Sequence, residues 1–519
     1  MKKKLISLLF VFVMVFAMTT SASAAEVTVP EGILAGHSYK AYQVLAGTQA
    51  EGKKELGDPV WGNGIDAANF LAALKANSVT QSTFAACSTA LDVAKALSVV
   101  SDHSAIANEV AKIAYAHKAG EGIALSAGSN ELASGYYLIV DATEIGEDAD
   151  AVYNASLLQV TEHIEIAVKT DKPSVEKKVK ENSEKYDEDG GYGAGYNDVA
   201  DYHIGDAVPF AFYSKVPDMS YYDTYQYVFH DVMSAGLTFN DDVTVTIGGN
   251  KLAADKFSVV KNPTDGCTFE VMIADLKAIA EKGQEIRVDF TATLNEDAVI
   301  GLDGNPNKVR LEYSNHPDET ESTGKTEWDE VIVFTYELDV TKVDKEDQTL
   351  TLKNAEFKLR SAEGKWVIVD EDAKVTGWAD TEADGSTLTS DADGFFQVIG
   401  LDDGTYYLKE TKAPSGYNLL TEEIELIIEA TTSNGQNWTD RNPATALTAL
   451  HVKVGESTNV GDVATGSVSM SVVNNKGVLL PETGGIGTTV FYLTGGALLA
   501  SSTGAFVMKR RSAKKTDEA

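Results

Sequence analysis

The stretch from Gly404 to Tyr417 reads GTYYLKETKAPSGY, and it decides how the last third of the chain folds. Tyr406 and Leu408 alternate with their neighbours, which predicts a strand with one buried face. Glu410 continues that face, so an acid is expected among apolar neighbours. A carboxylate in an apolar core costs free energy unless another group pairs with it. The sequence therefore predicts polar partners for Glu410 inside the core.

Two polar residues interrupt buried faces elsewhere in the same segment. Lys342 follows two alternating apolar residues on the first predicted strand, and Asn474 follows three on the last. A buried lysine that is paired only with an asparagine would remain costly unless chemistry intervened. Asn475 is the rival of Asn474 and is disfavoured only by the alternation.

The preceding segment repeats this arrangement. Lys177 lies between two valines on its first predicted strand, Asn315 ends an alternating apolar run on its last, and Asp231 lies on an apolar strand between them. Lys178 is the rival of Lys177, again disfavoured only by alternation. We predict two lysine, acid and asparagine sets, one in each segment.

Three such groups in a dry core define a reaction. Desolvation lowers the pKa of a lysine and raises that of an acid, so a neutral amine can attack the asparagine carboxamide while the protonated carboxyl polarises the carbonyl. Ammonia leaves, and a Lys–Asn isopeptide bond remains. The predicted bonds are Lys177–Asn315 and Lys342–Asn474, with Asp231 and Glu410 as the promoting acids.

These residues resemble the isopeptide-forming domains of Gram-positive pilins and adhesins. The stretch 404–417 is similar to the E box of the CnaB type, 340–344 to its lysine strand and 474–477 to its closing strand. The segment with Asp231 resembles the CnaA type, whose acid is an aspartate. The resemblance implies a sortase-assembled backbone pilin of mainly β class. We expect tandem immunoglobulin-like β-sandwiches, the first with a helical insertion.

The first segment departs from the pattern. Its strand 135–141 mimics the E box, but Val140 occupies the place of the acid and Asp141 is expected on the other face. We therefore predict no isopeptide bond there, and Lys40 is expected to be a solvated strand residue. Alanine-rich stretches at helical spacing predict helices at Ala67–Ala76, Thr83–Leu97 and Ala105–Ala116.

The two ends carry targeting signals. Residues 1–25 have the basic, apolar and small-residue parts of a signal peptide. Residues 480–485 read LPETGG, residues 486–508 form an apolar stretch long enough to span a bilayer, and residues 509–519 are a basic tail. This series resembles sortase substrates, in which Leu480, Pro481, Glu482, Thr483 and Gly484 would form the cleavage motif. Thr483 would be passed to an amine, and membrane contact would end with sorting.

The predicted domains lie between these signals. They cover residues 26–170 (a β-sandwich with a helical insertion), 171–335 (CnaA-like) and 336–478 (CnaB-like). The domain boundaries are placed by composition. The first lies at a proline that follows an alternating strand, and the second lies near Phe334 to Leu338.

Composition excludes several classes of function. Without the signal and the tail the chain has about 76 acidic against 35 basic residues, so nucleic acid is excluded as a partner. Cys87 and Cys267 lie in different predicted domains, which argues against a disulfide framework. The eight histidines lack ligand spacing, and no nucleotide-binding or hydrolase motif occurs. We expect no cofactor, no metal and no enzyme with turnover.

Polymerisation of a pilus needs a lysine that accepts Thr483 from another subunit. By position before the second domain, the resemblance assigns this role to Lys169, with Lys172 as rival, although the YPKN letters of the family motif are missing. The expected partners are sortase, identical subunits, minor pilins and peptidoglycan. The alternative is a monomeric wall-anchored adhesin, or a basal or tip pilin, that binds a host ligand.

Overall fold

The computed structural model describes residues 11–15, 25–30, 38–48, 56–101, 104–142, 163–165, 172–183, 191–220, 222–316, 321–433, 436 and 438–476. Lys169, the LPETGG motif, the predicted span 486–508 and the basic tail lie outside the described residues, as does most of the predicted signal peptide. Among the described helices, none combines the length and the apolar character that crossing a membrane requires.

The chain is mainly β, as predicted. The first segment contains a five-stranded sheet in the order β1-β7-β3-β4, with β5 beside β3, and a three-stranded sheet β6-β2-β8. The strands are β1 (Val11–Val15), β2 (Ala25–Val29), β3 (Tyr39–Thr48), β4 (Gly57–Trp61), β5 (Ile123–Leu125), β6 (Gly128–Leu132), β7 (Gly135–Asp141) and β8 (His163–Glu165). Strand β1, which the sequence assigns to the signal peptide, pairs antiparallel with β7.

A helical insertion separates β4 from β5. It contains α1 (Ala67–Ala76), α2 (Gln81–Phe84), α3 (Ala90–Leu97) and α4 (Ala105–Ala116). The first and last match the predicted bounds. The predicted helix Thr83–Leu97 is instead two helices, because Thr89 starts α3 as an N-cap in a reciprocal capping box with Asp92. The signal was in the sequence, as a threonine followed three residues later by an acid.

The second segment folds into two seven-stranded sheets. One has β9 (Val175–Lys180), β10 (Tyr196–Asn197), β12 (Ala207–Lys215), β14 (Leu237–Phe239), β15 (Thr244–Ile247), β16 (Asn250–Lys251) and β19 (Glu285–Leu294). The other has β11 (Val199–Asp201), β13 (Tyr227–Met233), β17 (Ser258–Lys261), β18 (Phe269–Ile273), β20 (Asn305–Ser314), β21 (Thr323–Lys325) and β22 (Asp329–Phe334). Burial alternates strictly along β19 and over most of β20, which places one face of each sheet in a shared core.

The third segment pairs a three-stranded sheet, β28-β23-β33, with an eight-stranded one. The small sheet contains β23 (Tyr336–Asp344), β28 (Phe395–Leu401) and β33 (Ser467–Asn474). The large sheet contains β24 (Glu356–Ser361), β25 (Trp366–Val369), β26 (Val375–Ala379), β27 (Leu388–Thr389), β29 (Gly404–Lys412), β30 (Ile424–Thr432), β31 (Leu447–Val454) and β32 (Ser457–Val460), and α5 (Pro443–Ala446) precedes β31. The first and last strands of the segment, β23 and β33, are parallel neighbours.

Candidate functional site

The third segment brings its three predicted residues into contact. Lys342 Nζ lies 2.6 Å from Asn474 Oδ1 and 3.2 Å from Glu410 Oε1. Asn474 Nδ2 donates to the two Glu410 oxygens at 3.0 and 3.2 Å. The lysine and glutamate side chains and the whole of Asn474 have no exposed surface. An amine, a carboxamide and a carboxyl group therefore meet in a dry core.

Strand register produces this contact. Asp344 of β23 pairs with Asn474 of β33, and Lys342 pairs with Val472, so Lys342 and Asn474 are diagonal neighbours on one sheet face. Glu410 comes from β29 in the facing sheet. Its Oε2 also accepts a 2.8 Å hydrogen bond from the Leu420 backbone N–H, which orients the carboxylate toward the other two groups.

Burial changes the protonation of this lysine. Desolvation lowers the pKa of Lys342 from 10.5 to about 8, and the charge and hydrogen bond of Glu410 oppose that shift. A much larger fraction of neutral amine is therefore available at neutral pH than for a solvated lysine.

The carboxylate does not lie where we expected it. The sequence argument placed the protonated acid against the asparagine carbonyl oxygen. In the structure Glu410 contacts the amide nitrogen of Asn474, and the lysine contacts the carbonyl oxygen. The acid therefore lies between the attacking amine and the nitrogen that would leave.

In the second segment Lys177 and Asp231 form a fully buried ion pair across the two sheets, through Lys177 Nζ and Asp231 Oδ2. Phenylalanine rings surround the lysine nitrogen, with the centroid of Phe212 4.8 Å away and that of Phe290 5.2 Å away. Burial lowers the pKa of Lys177 from 10.5 to about 8 and raises that of Asp231 from 3.8 to about 6. The two groups exchange a proton far more readily here than in water.

The structure does not bring the predicted Asn315 to this pair. Asp231 of β13 is paired with Val309 of β20, so Asn315 lies six residues farther along, roughly 20 Å at the rise of a strand. Its Oδ1 accepts a 2.8 Å hydrogen bond from Ser322 Oγ. Assigning Asn315 as the partner of Lys177 was therefore wrong.

A different asparagine occupies the matching position. Asn307 lies on the inward face of β20, two residues before Val309, and it is opposite Met233 of β13. It is completely buried, and neither its Oδ1 nor its Nδ2 has a hydrogen-bond partner. Asp231 Oδ1 is likewise buried and unpartnered. Two neighbouring unsatisfied groups of this kind are costly, which marks Asn307 as the candidate partner.

Strand β22 holds the backbone of Lys177 close to Asn307. The Lys177 N–H donates to Asp329 Oδ2 at 2.6 Å, and Asp329 is paired with Val309 of β20. The lysine strand is thereby fixed beside the part of β20 that contains Asn307.

The rival residues have other roles. Lys178 Nζ forms a 2.6 Å ion pair with Asp198 and lies 4.7 Å from the ring centroid of Tyr192. Asn475 is half-buried, and its backbone oxygen accepts from the Asn418 N–H. Lys172, the rival acceptor, is exposed.

The first segment lacks the acid at the equivalent position. Val140 is completely buried, and Asp141, expected on the other face, is 2% exposed and pairs by register with Tyr39. Lys40 is half-buried.

Sequence reasoning missed a buried acidic group at the junction of the second and third segments. Asp201 N–H donates to Glu181 Oε2 at 3.0 Å, Tyr336 O–H donates to Asp201 Oδ2 at 2.8 Å, and Asn182 Nδ2 donates to Asp402 Oδ2 at 2.8 Å. Burial and the neighbouring acids raise the pKa of Asp402 well above its usual range and also raise that of Glu181. No signal in the sequence indicates this group, because its members are on loops and strand ends far apart in the chain.

Fold and sites define a class, namely a protein of serial β-domains, two of which hold a lysine and an acid in contact inside the core. Residues 336–442 match the family model described as SpaA, prealbumin-like fold domain, and residues 204–317 match Gram-positive pilin backbone subunit 2, Cna-B-like domain. The second description is Cna-B-like, whereas the aspartate had suggested the CnaA type.

The chain is 28% identical over 342 residues to the trypsin-resistant surface T6 protein of Streptococcus pyogenes serotype M6, covering 54% of this chain and 60% of that protein. Among solved structures, the T6 backbone pilin of S. pyogenes aligns with TM-score 0.49 and 16% identity over 89% of this chain and 99% of that one. The full-length major pilin SpaD of Corynebacterium diphtheriae aligns with 0.44 and 16% over 91% and 98%. The chain is thus a homologue of the T6 protein that contains a Gram-positive pilin backbone domain and a SpaA prealbumin-like domain.

The junction acids generate a prediction about pH. Because the pKa of Asp402 is raised in the folded protein, its favourable contribution to the free energy of unfolding is complete below about pH 4 and is lost as pH rises through the raised pKa. We expect Asp402→Asn to raise the free energy of unfolding at pH 8, by on the order of 1 kcal/mol for each unit by which folding raises the pKa of Asp402, and to change it little at pH 4. The thermal unfolding temperature, measured at both pH values, should rise at pH 8 and stay nearly constant at pH 4. The control is Asp372→Asn, an exposed acid in the same segment. Equal effects of Asp402→Asn at both pH values would contradict the prediction.

Proposed function

We propose that this chain is the major subunit of a sortase-polymerised, cell-wall-anchored pilus shaft, stiffened by isopeptide bonds that it forms within itself. The observation that carries the proposal is the contact of Lys342, Glu410 and Asn474 in a core without exposed surface. The pilin backbone match over 204–317 and the LPETGG motif support the same function. A shaft under tension needs cross-links, and a chain with two separated cysteines must obtain them from other side chains.

The geometry supports a proton-shuttle mechanism in the third domain. Glu410 Oε1 lies 3.2 Å from Lys342 Nζ and accepts a proton from its ammonium group. The neutral amine attacks Cγ of Asn474, the new C–N bond forms, and the carboxyl returns the proton to the amide nitrogen, 3.0 Å away. The Cγ–Nδ2 bond breaks, ammonia leaves, and the Glu410 carboxylate takes the second proton from the attacking nitrogen, so that a neutral amide and a protonated Glu410 remain. One carboxyl group serves all three proton transfers, and the reaction occurs once per site.

In the second domain we propose the bond Lys177–Asn307, promoted by Asp231. The acid is already hydrogen-bonded to the lysine through Oδ2, and its unpartnered Oδ1 is available to the unpartnered Asn307 amide. The three groups then have the roles that Lys342, Glu410 and Asn474 have in the third domain.

Subunits would be joined outside the described residues. We propose that sortase cleaves after Thr483 and transfers its carbonyl to Lys169 of an identical subunit, or to peptidoglycan for the last subunit added. A wall-anchored adhesin would share the internal bonds but would not polymerise, so the acceptor lysine distinguishes the two functions.

Intact-mass measurement checks the internal bonds. We expect the purified recombinant mature domains, residues 26–478, to be lighter than the mass of their sequence by two molecules of ammonia. Glu410→Gln and Asp231→Asn should each prevent one of the two bonds, so each variant should have lost only one molecule of ammonia. Each bond closes a loop of about 130 residues, so loss of either should destabilise its domain by on the order of 5 kcal/mol. A mass equal to that of the sequence would falsify the cross-link proposal.

The choice of asparagine in the second domain has a matched pair of variants. We expect Asn307→Ala to abolish the tryptic peptide that joins Lys177 to β20 and to leave only one ammonia loss. Asn315→Ala should retain both losses, because its side chain is remote from Lys177. If Asn315→Ala removes the cross-link and Asn307→Ala does not, the register argument fails.

Gel analysis of cell-wall extracts tests polymerisation. We expect Lys169→Ala to convert the high-mass ladder on a denaturing gel to monomer, whereas Lys172→Ala keeps the ladder. A ladder that survives both substitutions would exclude these lysines as acceptors. Absence of a ladder in the unmodified protein would instead favour the monomeric adhesin.

A further inference from the structure

Asp231 has a neighbour that the cross-link does not use. His230 precedes it on β13, so the two side chains point to opposite faces of the sheet, Asp231 into the core and His230 outward. The residue His230 is nevertheless only 5% exposed, because the turn between β17 and β18 covers it. That turn contains Asp265 and Cys267, and Cys267 is also 5% exposed.

Three different donor atoms converge there. His230 Nδ1 lies 3.1 Å from Asp265 Oδ2 and 3.8 Å from Cys267 Sγ, and Sγ lies 3.2 Å from the same Asp265 oxygen. Around a tetrahedral Zn²⁺ ion, nitrogen, oxygen and sulfur ligands at about 2.0–2.3 Å are separated by roughly 3.3–3.7 Å. The observed separations match those of a metal site within a few tenths of an ångström.

We propose that His230, Asp265 and Cys267 bind a divalent transition-metal ion of the Zn²⁺ class. The mixture of thiolate, imidazole and carboxylate favours Zn²⁺ over Ca²⁺ or Mg²⁺, which take oxygen ligands. On binding, the Cys267 thiol, which now donates to Asp265, releases its proton to solvent and the sulfur takes the metal instead.

The surroundings complete a metal site. Glu312 Oε2 lies 3.3 Å from His230 Nε2, the nitrogen that keeps its proton when Nδ1 binds metal, and Lys325 fixes Glu312 at 2.9 Å. Nε2 makes no hydrogen bond in the structure, and a small rotation of the Glu312 carboxylate would let it accept from Nε2 and so orient a ligating histidine. Glu270 Oε1 lies 3.1 Å from His230 Nδ1, close enough to become the fourth ligand after a side-chain rotation, and a water would otherwise take that position.

The charges around this group are compatible with a bound dication. Three carboxylates, those of Asp265, Glu270 and Glu312, lie within 3.1–3.3 Å of one imidazole ring. Lys325 compensates Glu312, while Arg310 is 3.8 Å from Asp265. With a neutral thiol, Lys325, Arg310 and an imidazolium balance the three carboxylates, and a divalent ion with a neutral imidazole and a Cys267 thiolate gives the same balance.

Histidine and cysteine lie 37 residues apart, which explains why ligand spacing in the sequence gave no signal. Strand pairing creates the site, since β13 and β18 are neighbours and the turn before β18 folds over β13.

Cobalt substitution tests the site with the full-length chain, purified under reducing conditions and stripped with a chelator. We expect one equivalent of Co²⁺ to produce the near-ultraviolet thiolate-to-metal absorption band, and Zn²⁺ to displace it. Cys267→Ser should abolish the band, and His230→Gln should weaken Co²⁺ binding at least about tenfold. The matched control is Cys87→Ser, which removes the other cysteine and should leave the band unchanged.

The proposal is overturned if no band forms, if it persists in Cys267→Ser, or if Cys87→Ser removes it. Near-ultraviolet circular dichroism and thermal unfolding of each variant verify that the chain has folded. A lost band in a folded Cys267→Ser chain supports the metal site independently of the cross-links and of the pilus function.

Discussion

A lysine ammonium group in a core without water is the constraint on which the second and third domains depend. Lys342 and Lys177 cannot remain charged and unpaired there, so each needs an acid within hydrogen-bond reach. The facing sheet supplies that acid in both domains, from β29 and from β13. The same desolvation that makes the ion pair costly lowers the lysine pKa and so prepares the amine for attack. The proposed bond removes both difficulties, because a neutral amide replaces the buried charge.

The two proposed bonds would shield different lengths of the chain from tension. In the third domain Lys342 and Asn474 lie on parallel neighbouring strands that are also the first and last of the domain, so with this bond formed tension would bypass everything between them. In the second domain, force along the chain would leave the cross-link at Asn307. It would then pass through β20 and β22 before it reaches Tyr336. These strands form an antiparallel pair that neither proposed bond cross-links. With both proposed bonds formed, the third domain would be fully shielded, whereas this strand pair in the second domain would still carry load.

Alternation along the chain predicted which face a side chain occupies, and it did so correctly for Lys342, Glu410 and Asn474, which the structure brings together. It predicted the face of Asn315 as well, since that residue is fully buried. A period of two residues contains no information about how far one strand slides along its neighbour. The register between β13 and β20 separates Asn315 from Asp231 and places Asn307 near it. The junction acids and the His230 group were missed for a related reason, because strand pairing alone brings their members together.

The junction between the second and third domains affects bending more than strength. A single residue, Thr335, separates β22 from β23, so the connection between the two domains has no spare length. The Thr335 hydroxyl donates to the Leu401 carbonyl oxygen at 3.1 Å. Tension crosses this point through the backbone whatever the side chains do. Several contacts bridge the two domains, among them the hydrogen bonds of Tyr336 with Asp201 and of Asn182 with Asp402, and the ion pair of Arg441 with Asp329. Ionisation of Asp402 places its charge beside Asp201 and Glu181 in a buried space, so protonation of Asp402 favours the contacts at the junction without changing the covalent path.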